Sequence, residues 1–382
     1  MVKEMSEVKV KLDNNSYSII IGNKILAGFA KALKQRLFLG NRLVIVTNPT
    51  VRRLNWFNPL CKRLGRAGYK VGVVSVPPEA THRRETDLEK FKSNRMAMYL
   101  YGEFLKNRLD RTSTVVAVGG GTTGDLASFA ASTYMRGINL IHIPTTLLAQ
   151  VDSSVGGKTA INLPQGKNLV GTFYQPRMVY IDIDTLKSLP RREIRCGFAE
   201  IVKYGVIKDG SFFNYLEENI EAIQDIIKSR NWSRHTHFLL KVITRCCQIK
   251  AWVVKKDEQE SRGLREILNY GHTIGHGIEA AGRYTRFHHG EAISIGMLAA
   301  SRLAYMIGMI AEQDLIRQKK LLKAIGLPTT AGSLSIARIT KAIMLDKKFR
   351  GKSLRFVLPE RIGRVIISDK VTFDLIKRVL KY

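Results

Sequence analysis

Short apolar runs alternate with longer amphipathic stretches through the first half of the chain, and that rhythm predicts a layered α/β unit. Residues 8–12 and 17–21 flank Asp13-Asn14-Asn15, with apolar and polar residues alternating before the turn, which predicts a hairpin. Residues 43–47, 71–76, 114–118 and 140–143 are apolar almost throughout, are bounded by Gly, Pro or Asn, and are separated by segments of helical length. This spacing predicts crossover units on a Rossmann-like, largely parallel sheet. Such sheets bind ligands at the C-terminal ends of their strands.

Beyond about Thr185 the period changes. Residues 193–208, 220–229, 238–255, 267–281, 291–310 and 313–325 carry apolar positions at helical spacing, and strand-like runs return only at 354–358 and 365–367. The sequence therefore predicts an α/β domain over residues 1–186 and a mainly helical domain over 187–382, with the active site in the cleft between them.

The length of 382 residues suits two domains, and 45% apolar with 25% charged residues is the composition of a soluble globular protein. The N-terminus lacks the apolar core of a signal peptide, and no apolar stretch is long enough for a membrane span, so a cytoplasmic location is expected. Cys61, Cys196, Cys246 and Cys247 form no C-x-x-C pair and read as reduced, mostly buried thiols. The formal charge of +30, from 62 basic and 32 acidic residues, is large enough to attract nucleic acid. The basic residues are nonetheless spread along the chain, at 31–36, 83–84, 347–348 and 377–378, with no basic arm, RNA-binding aromatic motif or zinc finger. A compositional bias is favoured, and neither a specific nucleic-acid partner nor a membrane is expected.

Candidate chemistry falls in three places. Gly119, Gly121 and Gly124 satisfy G-x-G-x-x-G between a strand and a helix, where glycine lets backbone approach a pyrophosphate and the helix N-terminus supplies free amides. Pro144-Thr145-Thr146 ends the next strand and offers hydroxyls to the same ligand; as a proline turn with a helix cap it would be purely structural. His272 and His276 lie four apart on one helical face, and Thr273 stands where a zincin needs Glu, which argues against a metalloprotease. With His289 and Glu200 they make a candidate ligand set for one open metal site, three ligands being the number in catalytic zinc centres. Lys203, one turn from Glu200, sits in apolar surroundings and is suited to orienting substrate oxygens. Finally, the segment from Asp152 through Lys158 to Gly166-Lys167-Asn168 reads as a glycine- and lysine-rich loop lining an anion pocket, and Arg265 and Asn269 precede His272 with a guanidinium and an amide.

Together these stretches resemble the 3-dehydroquinate synthases, a family of sugar-phosphate cyclases. The likeness covers nearly the whole chain and is most specific in GGGTTGDLASF, IPTTLLAQVDSSVGGKTAIN, GKNLVG, FAEIVKYG, LREILNYGHTIGHGIE and HGEAISIGM. It implies a carbon–oxygen lyase acting on 3-deoxy-arabino-heptulosonate 7-phosphate in the shikimate pathway of aromatic amino acid biosynthesis. It also implies NAD and one divalent metal, zinc or cobalt, with NAD regenerated in each turnover, and a homodimer.

By the same resemblance, Glu200, His272 and His289 hold the metal. Lys158, Asn168 and His276 face the phosphate, with Arg136 reaching in from a second subunit; Arg265 and Asn269 face the carboxylate; Asp152, Lys203 and Lys250 orient hydroxyls and protons. NAD would lie along Glu79, His82, Gly120, Gly121, Thr122, Thr123, Gly124, Asp125, Thr145, Thr146, Lys158, Lys167, Thr185, Leu186, Lys187 and Ser188. The chain departs from the family where Gly-Glu is followed three residues later by Lys, since it has Pro78-Glu79 and then His82, and around Glu260, where one residue is inserted. Rival readings are another sugar-phosphate cyclase, a metal-dependent polyol dehydrogenase, which would release NADH, and a basic nucleic-acid-binding protein on an enzyme scaffold.

Overall fold

A computed structural model describes residues 4–36, 39–77, 88–229, 232–350 and 355–381. The chain divides into two compact units, Met1–Leu189 with Thr236–Lys255 and Pro190–His235 with Lys256–Tyr382.

The first unit contains strands β1 (Met5–Val10), β2 (Tyr17–Gly22), β3 (Arg42–Thr47), β4 (Lys70–Ser75), β5 (Thr114–Gly119), β6 (Asn139–Pro144), β7 (Lys158–Leu163), β8 (Gly166–Phe173) and β9 (Met178–Asp182). Its first five α-helices are α1 (Phe29–Arg36), α2 (Pro49–Arg52), α3 (Phe57–Arg66), α4 (Asn94–Lys106) and α5 (Gly121–Thr133). Seven strands form one sheet in the order β1-β2-β9-β6-β5-β3-β4, parallel except for the β1–β2 hairpin. Successive strand residues point to opposite faces. Val44, Val46, Val115 and Ala117 accordingly pack with Leu100 and Phe104 of α4 and Leu126 and Ala130 of α5. Leu43, Ile45, Val116 and Val118 pack with Phe29 and Leu33 of α1, Val51 of α2, and Phe57, Leu60 and Leu64 of α3. Both faces are covered, which is why the strand sequences are nearly continuous in apolar residues.

Two features of this unit differ from expectation. Residues 152–168 are not a loop: Ala149–Ser153 is a π-helical turn, and β7 and β8 form an antiparallel hairpin in which Thr159 pairs with Thr172 across the strands at 2.8 Å. Its buried Thr159, Ala160 and Ile161 make the hairpin's core, while the flanking lysines and glycines mask the strand pattern. β9 was also not predicted; five fully buried residues are enough to fill the place between β2 and β6.

The second unit begins with α6 (Arg191–Lys208), α7 (Gly210–Glu218) and α8 (Ile220–Ser229). Helix α9 (Thr236–Lys256) follows in sequence, yet it groups with the first unit through Lys255, where the Cys247 thiol donates to the Gln150 carbonyl at 3.4 Å. The second unit continues with α10 (His272–Ala281), α11 (His289–Met306), α12 (Glu312–Ile325), α13 (Ile336–Arg350), the hairpin β10 (Phe356–Arg361) and β11 (Arg364–Ser368), and α14 (Phe373–Val379). The helix expected over 267–281 is broken into a 3-10 turn, Leu264–Asn269, and α10, because Gly271 between them adopts φ +79°. A Cβ there would lie 2.7 Å from the backbone N of Met297, so only glycine permits this approach to α11. Gly290 does the same at the first turn of α11, where a Cβ would lie 2.3 Å from Cys196 Cα in α6. The three helices that carry the candidate ligands are thus held backbone to backbone. Of the four free thiols, Cys196, Cys246 and Cys247 are buried and Cys61 is half-buried.

Candidate active site

Every residue of α6 from Cys196 to Ile207 is buried, which takes Glu200 and Lys203 into the interior with the apolar side chains around them. Their charges compensate each other, Lys203 Nζ lying 2.5 Å from Glu200 Oε2. His272 opens α10 and His289 opens α11, and their Nε2 atoms lie 3.6 and 3.5 Å from Glu200 Oε1. One ligand atom from each of the three lies within 4.8 Å of the others. Two ligands about 2.1 Å from one tetrahedral zinc lie about 3.4 Å apart, so the set fits an ion without rearrangement. Each imidazole is also turned to present Nε2. His272 Nδ1 donates to the Tyr270 carbonyl at 3.1 Å, and His289 Nδ1 donates to Glu279 Oε2 at 3.4 Å, the outer contacts that orient metal-binding histidines. A nitrogen-rich N,N,O donor set suits zinc or cobalt.

Burial, with the Lys203 charge adding to it, pushes His272 down to about 3 and keeps it neutral, as a ligand must be. Burial opposes charge on His289 too, but the Glu279 and Glu200 carboxylates outweigh it and carry this imidazole up to about 10, so a cation is favoured there. His276 follows His272 by one turn with ring centroids 5.4 Å apart, and groups with Glu279 and His289 rather than with Glu200. The first set is the better metal site because Glu200 is fully buried.

In the first unit, Gly120 caps α5 and Gly121 begins it. A Cβ on Gly120 would lie 2.9 Å from Thr146, and one on Gly121 would lie 3.1 Å from Ser153 Oγ. The glycines keep open a narrow backbone cradle at a helix N-terminus, the form that accepts a pyrophosphate. Thr122 Oγ1 donates to Glu89 at 2.9 Å, Asn162 Nδ2 donates to Glu89 at 2.8 Å, and the buried Lys92 pairs with Asp125 while donating to Asn168 Oδ1 at 2.5 Å. Burial pulls Lys92 down, and Asp125 and Glu89 more than restore it, so it stays cationic.

Glu79 and His82 lie outside the described residues. Glu89 and Lys92, absent from the sequence reading, show the same Glu-x-x-Lys spacing ten residues later, just ahead of α4. That spacing was the available signal, and the Glu79 match drew attention away from it.

The remaining residues take varied positions. Lys250 Nζ donates to the Asp152 carbonyl at 2.6 Å and lies 3.0 Å from its carboxylate. Lys158 is exposed at the start of β7 and Lys167 is half-buried in β8. Arg136 is exposed beside Met135, with φ values of 67° and 49°, a strained pair that projects the arginine from the end of α5. Arg265 is 1% exposed and its Nη1 donates to the Glu258 carbonyl at 2.6 Å, while Asn269 is half-buried. The Thr185 hydroxyl donates to the Asp182 carbonyl at 2.7 Å and accepts from Gln150 at 3.1 Å, and Leu186 is fully buried, so both serve the packing. Lys187 pairs with Asp184 at 2.5 Å, Ser188 is exposed and Thr145 is buried.

Family models described as the 3-dehydroquinate synthase N-terminal and C-terminal domains match residues 84–196 and 197–349. The chain is 43% identical to the 3-dehydroquinate synthase of Nostoc punctiforme over 98% of its length and 99% of that protein. It is 45% identical to that of Desulforamulus reducens over 96% and 97%. Among solved structures it resembles 2-epi-5-epi-valiolone synthase from Streptomyces hygroscopicus with NAD+ and Zn2+ bound, at TM-score 0.83, 26% identity and 97% coverage of each chain. A 2-deoxy-scyllo-inosose synthase complexed with carbaglucose-6-phosphate, NAD+ and Co2+ matches at TM-score 0.80, 26% identity and 98% and 99% coverage. A glycerol dehydrogenase from Schizosaccharomyces pombe, at 17% identity and TM-score 0.59, shares the fold alone.

Proposed function

Because the chain belongs to the 3-dehydroquinate synthase family, we propose that it converts 3-deoxy-D-arabino-heptulosonate 7-phosphate to 3-dehydroquinate and inorganic phosphate. This is an enzyme of the shikimate pathway, leading to chorismate and the aromatic amino acids. The observation that carries the reading at the site is the Glu200, His272 and His289 set, with both imidazoles held by outer contacts. We assign NAD binding to the α/β part of the chain, residues 1–186, and metal and substrate binding to residues 187–382 together with the lysines of α9 and β7.

When bound, NAD would supply a hydride acceptor and a zinc or cobalt ion would supply a Lewis acid for substrate hydroxyls. The glycines 120, 121 and 124 with Glu89, Lys92 and Asp125 would hold the first, and Glu200, His272 and His289 the second. The protein's own groups then bind and orient the substrate. Asn168 Oδ1 accepts from Lys92, which leaves its amide NH2 as a donor for phosphate, a role also assigned to Lys158 and, in the second unit, to His276. Lys203, paired with Glu200, and Lys250, fixed by Asp152, bind hydroxyls through charge-assisted hydrogen bonds. Arg265 and Asn269 address the carboxylate. Arg136 serves a second subunit of a homodimer, its exposed and strained position being that of a group used by a neighbour. The departing phosphate can itself accept a proton, so no dedicated protein base is required. No described helix is long and apolar enough to cross a membrane, and we assign the protein to the cytoplasm.

The test is release of phosphate from 3-deoxy-D-arabino-heptulosonate 7-phosphate by purified protein supplied with NAD and zinc or cobalt. Release that a chelator abolishes, with a carbocyclic product and no net NADH, is the expected result. A folded, metal-loaded protein that releases none would overturn it, and NADH accumulating from polyols would point to a dehydrogenase.

A further inference from the structure

The fold concentrates positive charge on one side of the first unit. Between residues 14 and 78 there are eleven lysines and arginines and no aspartate or glutamate. At the chain-wide density of 32 acids in 382 residues, about five would fall in such a stretch, so a general compositional bias does not account for their absence. Helices α1, α2 and α3 all belong to this stretch and all pack on the same face of the sheet. Lys31, Lys34, Arg53, Lys62, Arg63 and Arg66 are exposed on them or at their ends. None of these six makes an ion pair among the described residues.

Helix stability does not explain the pattern. Cations in the last turns of α1 and α3 do complement the helix dipole, but none of the three helices has an acid in its first turn, where one would be equally favourable. Helices α6, α8, α11 and α12 of the second unit all carry one there. An acid-free first turn is shared by α4, α5, α7 and α10, and Arg36 of α1 pairs with Glu7 of β1, so what sets these helices apart is the absence of acid along residues 14–78 as a whole. The face also lies opposite α4 and α5, and Arg136 follows α5, so it is clear of the subunit contact assigned to Arg136.

We propose that the α1–α3 face binds duplex DNA through its phosphates, without sequence preference. A membrane surface is the poorer match because, among the described residues, none of the exposed large apolar side chains lies on these helices to insert into lipid. A single strand is the poorer match because among the described residues no exposed aromatic ring there can stack on a base. What remains is a field of cations suited to a duplex, the nucleic acid with the higher linear charge density. This inference is independent of the proposed activity.

The experiment is fluorescence anisotropy of a labelled 20-base-pair duplex titrated with the full-length protein across a series of KCl concentrations. Six phosphate contacts predict a slope of log affinity against log salt of about −5. Replacing the six residues by glutamine should weaken binding at least tenfold at 100 mM KCl and flatten most of that slope. A control with six exposed cations of the second unit changed instead, K319Q/K320Q/K323Q/R338Q/K341Q/R378Q, should stay within threefold of the parent. Equal losses in the two variants would show that total charge alone is responsible and would sink the proposal. Independently of any variant, the duplex should protect Lys31, Lys34 and Lys62 of the unaltered protein from amine-reactive labelling, and absence of protection overturns the assignment. Tighter binding to phosphatidylserine vesicles or to a single strand than to the duplex would likewise replace it.

Discussion

His289 shows how one side chain acquires its role from neighbours. Its Nδ1 is held by Glu279, a carboxylate only 5% exposed, so Nε2 is turned toward Glu200. Loss of such an outer contact typically weakens metal affinity about 10–100-fold. Glu279→Gln should do so for zinc, read by competition with a chromophoric chelator, and an unchanged affinity would remove Glu279 from this role. His272→Ala should abolish stoichiometric metal altogether, because two protein ligands seldom retain a catalytic ion; full metal content measured after dialysis would contradict the ligand assignment. The ligand types were legible in the sequence, since imidazole and carboxylate declare their chemistry. Glu279 was not, because nothing in its local sequence separates it from a surface acid.

The elements of the site depend on close backbone approach, and glycine marks it. At Gly290 a Cβ would meet Cys196 Cα at 2.3 Å, so Gly290→Ala should cost about 1–3 kcal/mol by overpacking and displace His289. Melting temperature and zinc affinity should fall together. At Gly65 in α3 nothing lies within 4 Å, and Gly65→Ala should be neutral or stabilising by up to about 1 kcal/mol; equal melting temperatures for the two variants would refute the distinction. Strand β6 carries a second consequence of packing. His142, bonded to Ser128 of α5 at 3.1 Å, is pushed down to about 4 by burial. The unfolded chain then binds this proton more tightly, so the stability it contributes is complete above its ordinary value near 6.5 and is lost as pH falls toward 4. The loss is on the order of 3 kcal/mol. His142→Gln should flatten the stability profile in that window, and an unaltered acid limb in denaturant titrations would show that other groups dominate. The parallel strands were readable from their apolar runs, whereas the β7–β8 hairpin and β9 were not. A short strand completed by cross-strand pairing carries little periodicity of its own.

For the whole molecule, the proposed metal ligands are oriented by Tyr270, Glu279 and the helix contacts, so chelation should leave the helical content unchanged. The melting temperature should nevertheless rise with free zinc, by the equivalent of about 2.7 kcal/mol at a hundredfold excess over Kd, because the ion binds only the folded arrangement. Loss of circular dichroism on chelation would mean instead that the metal builds the fold. The sequence by itself determined the α/β-then-helical order, the glycine turn after β5 and the candidate ligand set of Glu200, His272, His276 and His289, because strand and helix periodicity and ligand chemistry are local properties. Only the tertiary structure decided that α9 groups with the first unit, that Glu89 and Lys92 join Asp125 and Asn168, and that α1, α2 and α3 pack on one face of the sheet. Those outcomes rest on which buried surfaces and ion pairs meet across the fold, and no residue's sequence neighbours carry that information.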